Sequence, residues 1–337
     1  MSQGFTASGN GFDMLSTLTT AEISFTAAGT ATISRMHRVK DNVGVTTYDI
    51  TLPAVAGSAG KMIGFIGDVP ANLTKAIRVV PASGLVGGAV WKMVYAGKAF
   101  VLECDGTNWN VIAENESKLA VNTTIALANT MSVTTINQWF AYAPKNLNTF
   151  TLTYQFADGT YTVGSNIQVF GFLNGTLNIF GNRGEANADT QHSTQGVILD
   201  ATAGTALCPL FISSCTCIIY LYDIRINTAD PANGTCLSIY NTLYVYVWYN
   251  CFTASGTTNA LLCSIRFGSY AQMGNIYFDK GHAALFSGDG SELWSILNYT
   301  LANNATHGLA CSASHIYKYN ATQPATGEET ACGGVIA

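Results

Sequence analysis

The sequence predicts an all-β chain: a small N-terminal β-sandwich or barrel, then a right-handed parallel β-helix, assembled as a homotrimer. Three observations predict it. Short apolar strings alternate with Gly, Asn and Asp turns along most of the 337 residues. Beyond Asn146, comparable strands recur at a nearly constant step. Only 10% of the residues are charged while 48% are hydrophobic, against ~25% charged in an ordinary soluble domain.

The length corresponds to about two domains. Residues 1–113 form the first β-unit. Its strands are expected at 30–37, 46–53, 61–67, 75–81, 89–96, 98–104 and 109–114, separated by turn-forming strings such as AVAGSAG and PASGLVGG. Asp105-Gly106 joins the last two as a hairpin.

Residues 114–145 contain no glycine and read as a neck of short helical or extended turns. Residues 146–320 carry the repeat, and 321–337 form a C-terminal tail. Strands of like pattern begin at Cys236, Leu261, Ala283 and Gly308, at steps of 25, 22 and 25 residues. Internal periods of this length mark solenoids, in which no coil buries its apolar side alone and stacking makes the core. The expectation is a β-helix of about six coils. An antiparallel sandwich of the same strands is the alternative, disfavoured by the absence of two-residue hairpin turns.

Charge scarcity is most pronounced in the C-terminal part, with six Lys/Arg and eleven Asp/Glu from Leu119 to Ala337. A lone solenoid with such a surface would be adhesive, whereas a threefold bundle hides it with one repeated interface. In LYVYVWYN, Leu243, Val245, Val247 and Tyr249 share one face, and Tyr244, Tyr246 and Trp248 share the other. With the aliphatic set inside, Tyr244, Tyr246 and Trp248 become trimer-interface candidates. Further outward rings are expected at Tyr220, Tyr222, Tyr277, Phe278, Trp294, Tyr299, Tyr317 and Tyr319. Of these, Trp294, Tyr317 and Tyr319 are the candidates for stacking on a sugar.

The net charge of −5 without a basic run argues against nucleic acid. No stretch approaches the ~20 consecutive apolar residues of a membrane helix. The first residues show no basic then apolar leader, so synthesis in a cytoplasm is expected. Of the nine cysteines, Cys215 and Cys217 are two apart and expected on one strand face. Zinc is the sharp alternative, but a CxC without a matching His or Cys pair favours reduced core thiols. No metal or cofactor is expected.

Two passages resemble phage and prophage tail fibres and tailspikes. YDITLPAVAGSAGKMIGFIGDVPANLTKAIRVVPASG with GKAFVLECDGTNWNVI (48–84 and 97–112) resembles a small β-domain of such fibres, closed by strand, Asp-Gly-x-x-Trp, strand. INQWFAYAPKNLNTFTLTYQFADGTYTVGSNIQVFGFLNGTLNIFGN (136–182) is similar to the entry of fibre β-helices. The resemblance implies a parallel homotrimer on a virion. Its N-terminal part would dock to other tail or baseplate proteins, and its distal part would bind a host polysaccharide or outer-membrane receptor.

Some members of that family cleave the glycan, which requires two carboxylates. Asp289 and Glu292 in SGDGSELW, beside Trp294, are the best pair, and Glu185 and Asp189 with His192 the second; both are also ordinary turn and loop carboxylates. Arg183, Arg225 and Arg266 are scattered, and His192, His282, His307 and His315 lack metal-ligand spacing. The sequence thus favours a binding fibre. A depolymerase using Asp289 and Glu292, or an adaptor carrying another receptor-binding protein, are the alternatives.

Overall fold

The computed structural model describes residues 19–40, 48–67, 76–115, 118–181, 196–203, 208–229, 234–255, 260–280, 283–302, 307–318 and 328–337. The chain forms two compact units, Met1–Ser117 and Lys118–Ala337.

Unit 1 contains β1 (Thr19–Phe25), β2 (Gly29–Thr30), β3 (Arg35–Val39), β4 (Asp49–Leu52), β5 (Met62–Gly67), β6 (Ile77–Pro81), β7 (Lys92–Val94), β8 (Ala99–Cys104) and β9 (Trp109–Glu114). They make two sheets, ordered β1-β3-β5-β8-β9 and β2-β4-β6-β7. The first six strands alternate between the sheets and pair in parallel within each. Only β7, β8 and β9 add antiparallel pairs. Strand spacing could not show this parallel start, because alternation of apolar residues is the same for either pairing.

The anticipated hairpin is β8–β9, where Asp105 Oδ1 accepts from the N–H groups of Thr107 and Asn108, both at 2.7 Å. Trp109, fully buried, donates its Nε1–H to Pro53 O at 3.2 Å and so ties one sheet to the end of the other. His37 is fully buried between the rings of Phe25 and Phe65, with both centroids 5.3 Å away. Its Nε2 accepts from Thr32 N–H at 3.0 Å, so the proton sits on Nδ1, 3.2 Å from Gly64 O.

Unit 2 is a parallel β-solenoid of about eight turns. It opens with β10 (Thr123–Leu127) and α1 (Val133–Tyr142). Then come β11 (Thr151–Phe156), β12 (Gly159–Thr162), β13 (Ile167–Phe170), β14 (Thr176–Phe180), β15 (Val197–Ala201) and β16 (Leu210–Ser213). They are followed by β17 (Ile218–Tyr222), β18 (Ile224–Thr228), β19 (Thr235–Tyr240), β20 (Tyr244–Trp248), β21 (Cys251–Ala254) and β22 (Leu261–Arg266). The last turns are β23 (Tyr270–Asp279), β24 (Ala283–Gly288), β25 (Glu292–Ala302), β26 (His307–Ser312), β27 (His315–Lys318), β28 (Glu328–Ala331) and β29 (Val335–Ile336).

Each turn has three sides. Side A stacks β10, β11, β14, β17, β20 and the start of β23. Side B stacks β12, β15, β18, β21 and the end of β23, and side C stacks β13, β16, β19, β22, β24, β26 and β28. The long β23 and β25 run through the A–B corner, with Asn275 at φ 52° bending β23.

Inward positions form vertical rows. On side A these are Leu152, Leu177, Ile219, Val245 and Ala271; on side B, Tyr161, Leu199, Ile226, Phe252 and Phe278; on side C, Ile167, Leu210, Leu237, Cys263 and Leu285. All are buried. Each Leu or Ile contributes roughly 1.5–3 kcal/mol through burial, and every turn supplies the floor of the next.

The corners explain why glycine marks the coils so sparsely. PLFISSCTCIIYLYDIRIN is three strands, bent at Ser214 (φ 53°) and Asp223 (φ 60°); TCLSIYNTLYVYVWYNCF is also three, bent at Asn241 (φ 45°) and Tyr249 (φ 57°). Left-handed Asn and Asp are the non-glycine residues that tolerate such bends best. One glycine is forced: a Cβ on Gly181 would sit 2.0 Å from Asp223 O on the turn stacked against it.

Several expectations need correction. The solenoid has about eight turns instead of six, because it extends in both directions. Strand β10 and helix α1, in the stretch expected as a neck, belong to unit 2: β10 pairs β11, and α1 lies against β13. Strands β28 and β29, in the expected tail, pair β26 and β27. Cys215 and Cys217 occupy the corner after β16 and not a strand, because Ser214 turns the chain first. Phe278 points inward onto Phe252, with centroids 5.6 Å apart, since the bend at Asn275 resets the alternation. Leu243, ahead of β20, is 47% exposed and does not join Val245 and Val247 inside.

Helix α1 closes the first turn. Ser132 caps it by accepting from Thr135 N–H, and Val133, Ile136, Trp139 and Phe140 make its buried stripe. Phe140 stacks on Tyr154 at 4.0 Å, and Tyr154 donates to Trp139 O at 2.9 Å. Asn137 does what a missing strand would do for the edge of β13. Its Nδ2 donates to Asn166 O and its Oδ1 accepts from Gln168 N–H, both at 2.8 Å.

Candidate functional site

The outward side-A positions carry stacked rings. Ile218, Tyr244 and Tyr270 form one row, Tyr220 and Tyr246 a second, and Phe180, Tyr222 and Trp248 a third. Tyr220 stacks on Tyr246 at 5.0 Å and 22° and on Tyr222 at 5.8 Å; Tyr244 meets Tyr270 edge-on at 5.4 Å. The Trp248 indole spreads over the next turn, where a Cβ on Gly274 would lie 2.3 Å from its ring. Tyr244, Tyr246 and Trp248 therefore face outward, as the alternation in their strand requires. Tyr244 is 47% exposed.

Side C has a ring patch that the sequence reading missed. Phe211 meets Tyr240 at 5.2 Å, Tyr240 meets Phe267 at 5.1 Å, and the Arg266 guanidinium lies 4.6 Å over Phe286. Phe170 and Phe267 are more than half exposed. In the side-C register Phe211 and Phe286 share one outward row, and Phe170, Tyr240 and Arg266 share another. Side B outward carries Asp200, Arg225, Asn227 and Asp279 together with Ile198 and Tyr277.

Of the sugar-stacking candidates, Tyr317 is 37% exposed and lies parallel to His315 at 6.0 Å and 9°. Trp294 falls where β25 bulges against β23, between Leu293 and Ser295; its side chain lies outside the described residues. Tyr319 also lies outside them, as do Glu185, Asp189 and His192.

Asp289 and Glu292 are both exposed but have different settings. Asp289 is a corner residue at φ 58°, and its carbonyl accepts from Gly268 N–H at 3.2 Å. Glu292 begins β25, in register with Tyr270 and His315 on the outward side-A row. A turn geometry accounts for Asp289, and among the described residues none encloses the two carboxylates as an acid–base pair would require.

A concave site lies at the α1 end. A groove of about 740 Å³ is lined by Asn137, Ala141 and Lys145 on one wall and by Gly164, Ser165, Asn166, Gln168 and Phe170 on the other. Lys145 Nζ donates to Phe140 O at 2.8 Å and lies 4.0 Å over the Phe172 ring. Burial brings its ammonium down to about 8, an effect that the nearby Cys215 and Cys217 oppose. Hydrogen bonding from Cys217 holds the Cys215 thiol below its usual range against the opposing effect of burial. Lys145 is not among the candidates from the sequence, although it is the lone Lys or Arg between Lys118 and Arg183.

Among the described residues no His/Cys/Asp/Glu group could hold a metal ion, and no helix is long and apolar enough to cross a membrane. Comparison with protein-family models, curated proteins and solved structures gives no match to the chain.

Proposed function

We propose that this chain is a phage tail fibre or tailspike. In this reading three copies associate, the N-terminal unit attaches to the virion, and the solenoid adheres to a host-surface glycan or outer-membrane receptor without cleaving it. The observation that carries the reading is a parallel solenoid whose outward rows hold stacked rings where a monomer would carry charge. Tyr244, Tyr246 and Trp248 on side A are the rings assigned to contact between copies. Aromatic rings remaining outside that contact, Tyr317 among them, are the right chemistry for the CH face of a pyranose. A binding role accounts better than hydrolysis for the exposed Asp289 and Glu292.

Two measurements test this. Purified protein should compete with phage for susceptible cells, and it should release no reducing sugar from their capsule. Sugar release abolished by Asp289→Asn would establish the depolymerase instead. Failure to compete would leave a structural adaptor. Sedimentation should give three copies, and Tyr246→Glu, which puts charge into the ring row, should yield monomer.

A further inference from the structure

The groove between α1 and β13 has features that neither capping nor core packing requires. Lys145 is half-buried at its wall, and among the described residues no carboxylate pairs with it. Keeping an ammonium out of water without a counter-ion is costly, so its amine is primed to gain from an anion that arrives from outside. Its fixed contacts are one carbonyl, Phe140 O, and one ring, Phe172, which leave other donor directions of the ammonium available.

The opposite wall supplies what a polyhydroxylated ligand needs. Gln168 and Ser165 are exposed polar groups on a stretch that Asn137 clamps in place, so the wall is held before any ligand arrives. Phe170, 57% exposed, presents a ring at the groove's rim. The volume falls within the ~300–1,000 Å³ common to small-molecule sites.

We infer that this groove binds a carboxylate-bearing sugar, with Lys145 pairing the carboxylate, Gln168 and Ser165 engaging hydroxyls, and Phe170 stacking on the ring face. The inference rests on the glycan-binding reading above and narrows it to acidic glycans at one place on the solenoid.

Titration calorimetry with trigalacturonic acid and with neutral maltotriose tests it on the whole protein. Trigalacturonic acid should bind and maltotriose should bind much more weakly. Lys145→Gln should weaken the acidic ligand about tenfold or more, the worth of one charge-assisted hydrogen bond, while Lys145→Arg should retain it. Because Lys145 loses its proton near pH 8, wild-type affinity should fall above that pH, approaching tenfold per pH unit, and Lys145→Arg should be flat there. The other titratable groups bearing on this amine are Cys215 and Cys217, so Cys215→Ser is run alongside and should keep the fall. Phe170→Ala, at an exposed position that should not affect folding, should also weaken binding.

Equal affinity for both trisaccharides, no binding of either, or an unaltered Lys145→Gln would overturn the inference. If Lys145→Gln and Phe170→Ala still compete with phage as wild type does, the groove is wrong and the fibre reading stands. If wild type itself does not compete, the fibre reading fails first.

Discussion

Asn250 offers the sharpest test of how the solenoid is held together. It is fully buried at the A–B corner, one residue after the left-handed Tyr249 that turns the chain away from the side-A rings. Its Oδ1 accepts from Ile224 N–H at 3.0 Å, and its Nδ2 donates to Leu221 O at 2.8 Å and Trp248 O at 2.7 Å. One side chain thus joins two successive turns. Asn250→Ala leaves Ile224 N–H facing an emptied space, which costs about 1–3 kcal/mol. The two carbonyls feel the loss less: each has a second lone pair, and Trp248 O keeps Asp223 N–H at 3.4 Å. Adding about 0.5–1 kcal/mol for each of those bonds gives a loss near 3 kcal/mol. For a unit of this size that corresponds to a fall of about 6–12 °C in Tm. Asn250→Asp should be worse, since it keeps the acceptor but sets a buried charge against two carbonyl oxygens. Scanning calorimetry on both variants, with the outward Asn227→Ala as control, provides the measurement. A melting point for Asn250→Ala indistinguishable from the control would refute the idea that corner amides carry the stacking.

Three further outcomes follow from other sites. Native protein treated with a thiol-alkylating reagent should be modified at Cys332 alone, because the other eight thiols are buried and burial pushes Cys208 up to about 11; mass spectrometry showing labelling at any second site would contradict this. Burial lowers the His37 pKa against two opposing backbone hydrogen bonds. The unfolded chain therefore takes up a proton more readily, and the contribution of His37 is intact above about pH 6.5 and fades as pH falls below it. Urea midpoints for unit 1 should drop between pH 7.5 and 5.5 in wild type and less in His37→Gln. Lys98, almost fully buried, donates to Glu114, which also accepts from Lys92 at 2.7 Å. Burial pushes Glu114 up, but both lysines together outweigh it and hold the carboxyl below its usual value. Glu114→Gln should strand the Lys98 cation and cost about 2–4 kcal/mol, whereas Glu114→Gln with Lys98→Met should recover part of that loss in denaturant titrations.

Much of the architecture was legible because a strand has only two faces. Val245 and Val247 inside with Tyr244, Tyr246 and Trp248 outside follows from period two alone. The coil step was also legible, but only to within one residue. Starts at Cys236, Leu261, Ala283 and Gly308 compare with actual partners Thr235, Leu261, Ala283 and His307. That single residue matters, since a slip of one exchanges the two faces. Composition could not resolve it, because Cys236 and its neighbours Thr235 and Leu237 are all buried.

The sequence by itself determined the class of fold, the alternation of faces within a strand such as Tyr244–Trp248, the outward side-A rings and the shortage of charge, all properties of residue type and short-range spacing. The tertiary structure decided what depends on distant segments meeting. It turned the expected neck into a cap, because Asn137 finds the open edge of β13. It moved Phe278 inside through a left-handed bend at Asn275. It set Lys145 across a groove from Gln168 and Phe170. Local patterning fixes which way a side chain points, and only closure of the coil fixes which side chains face one another.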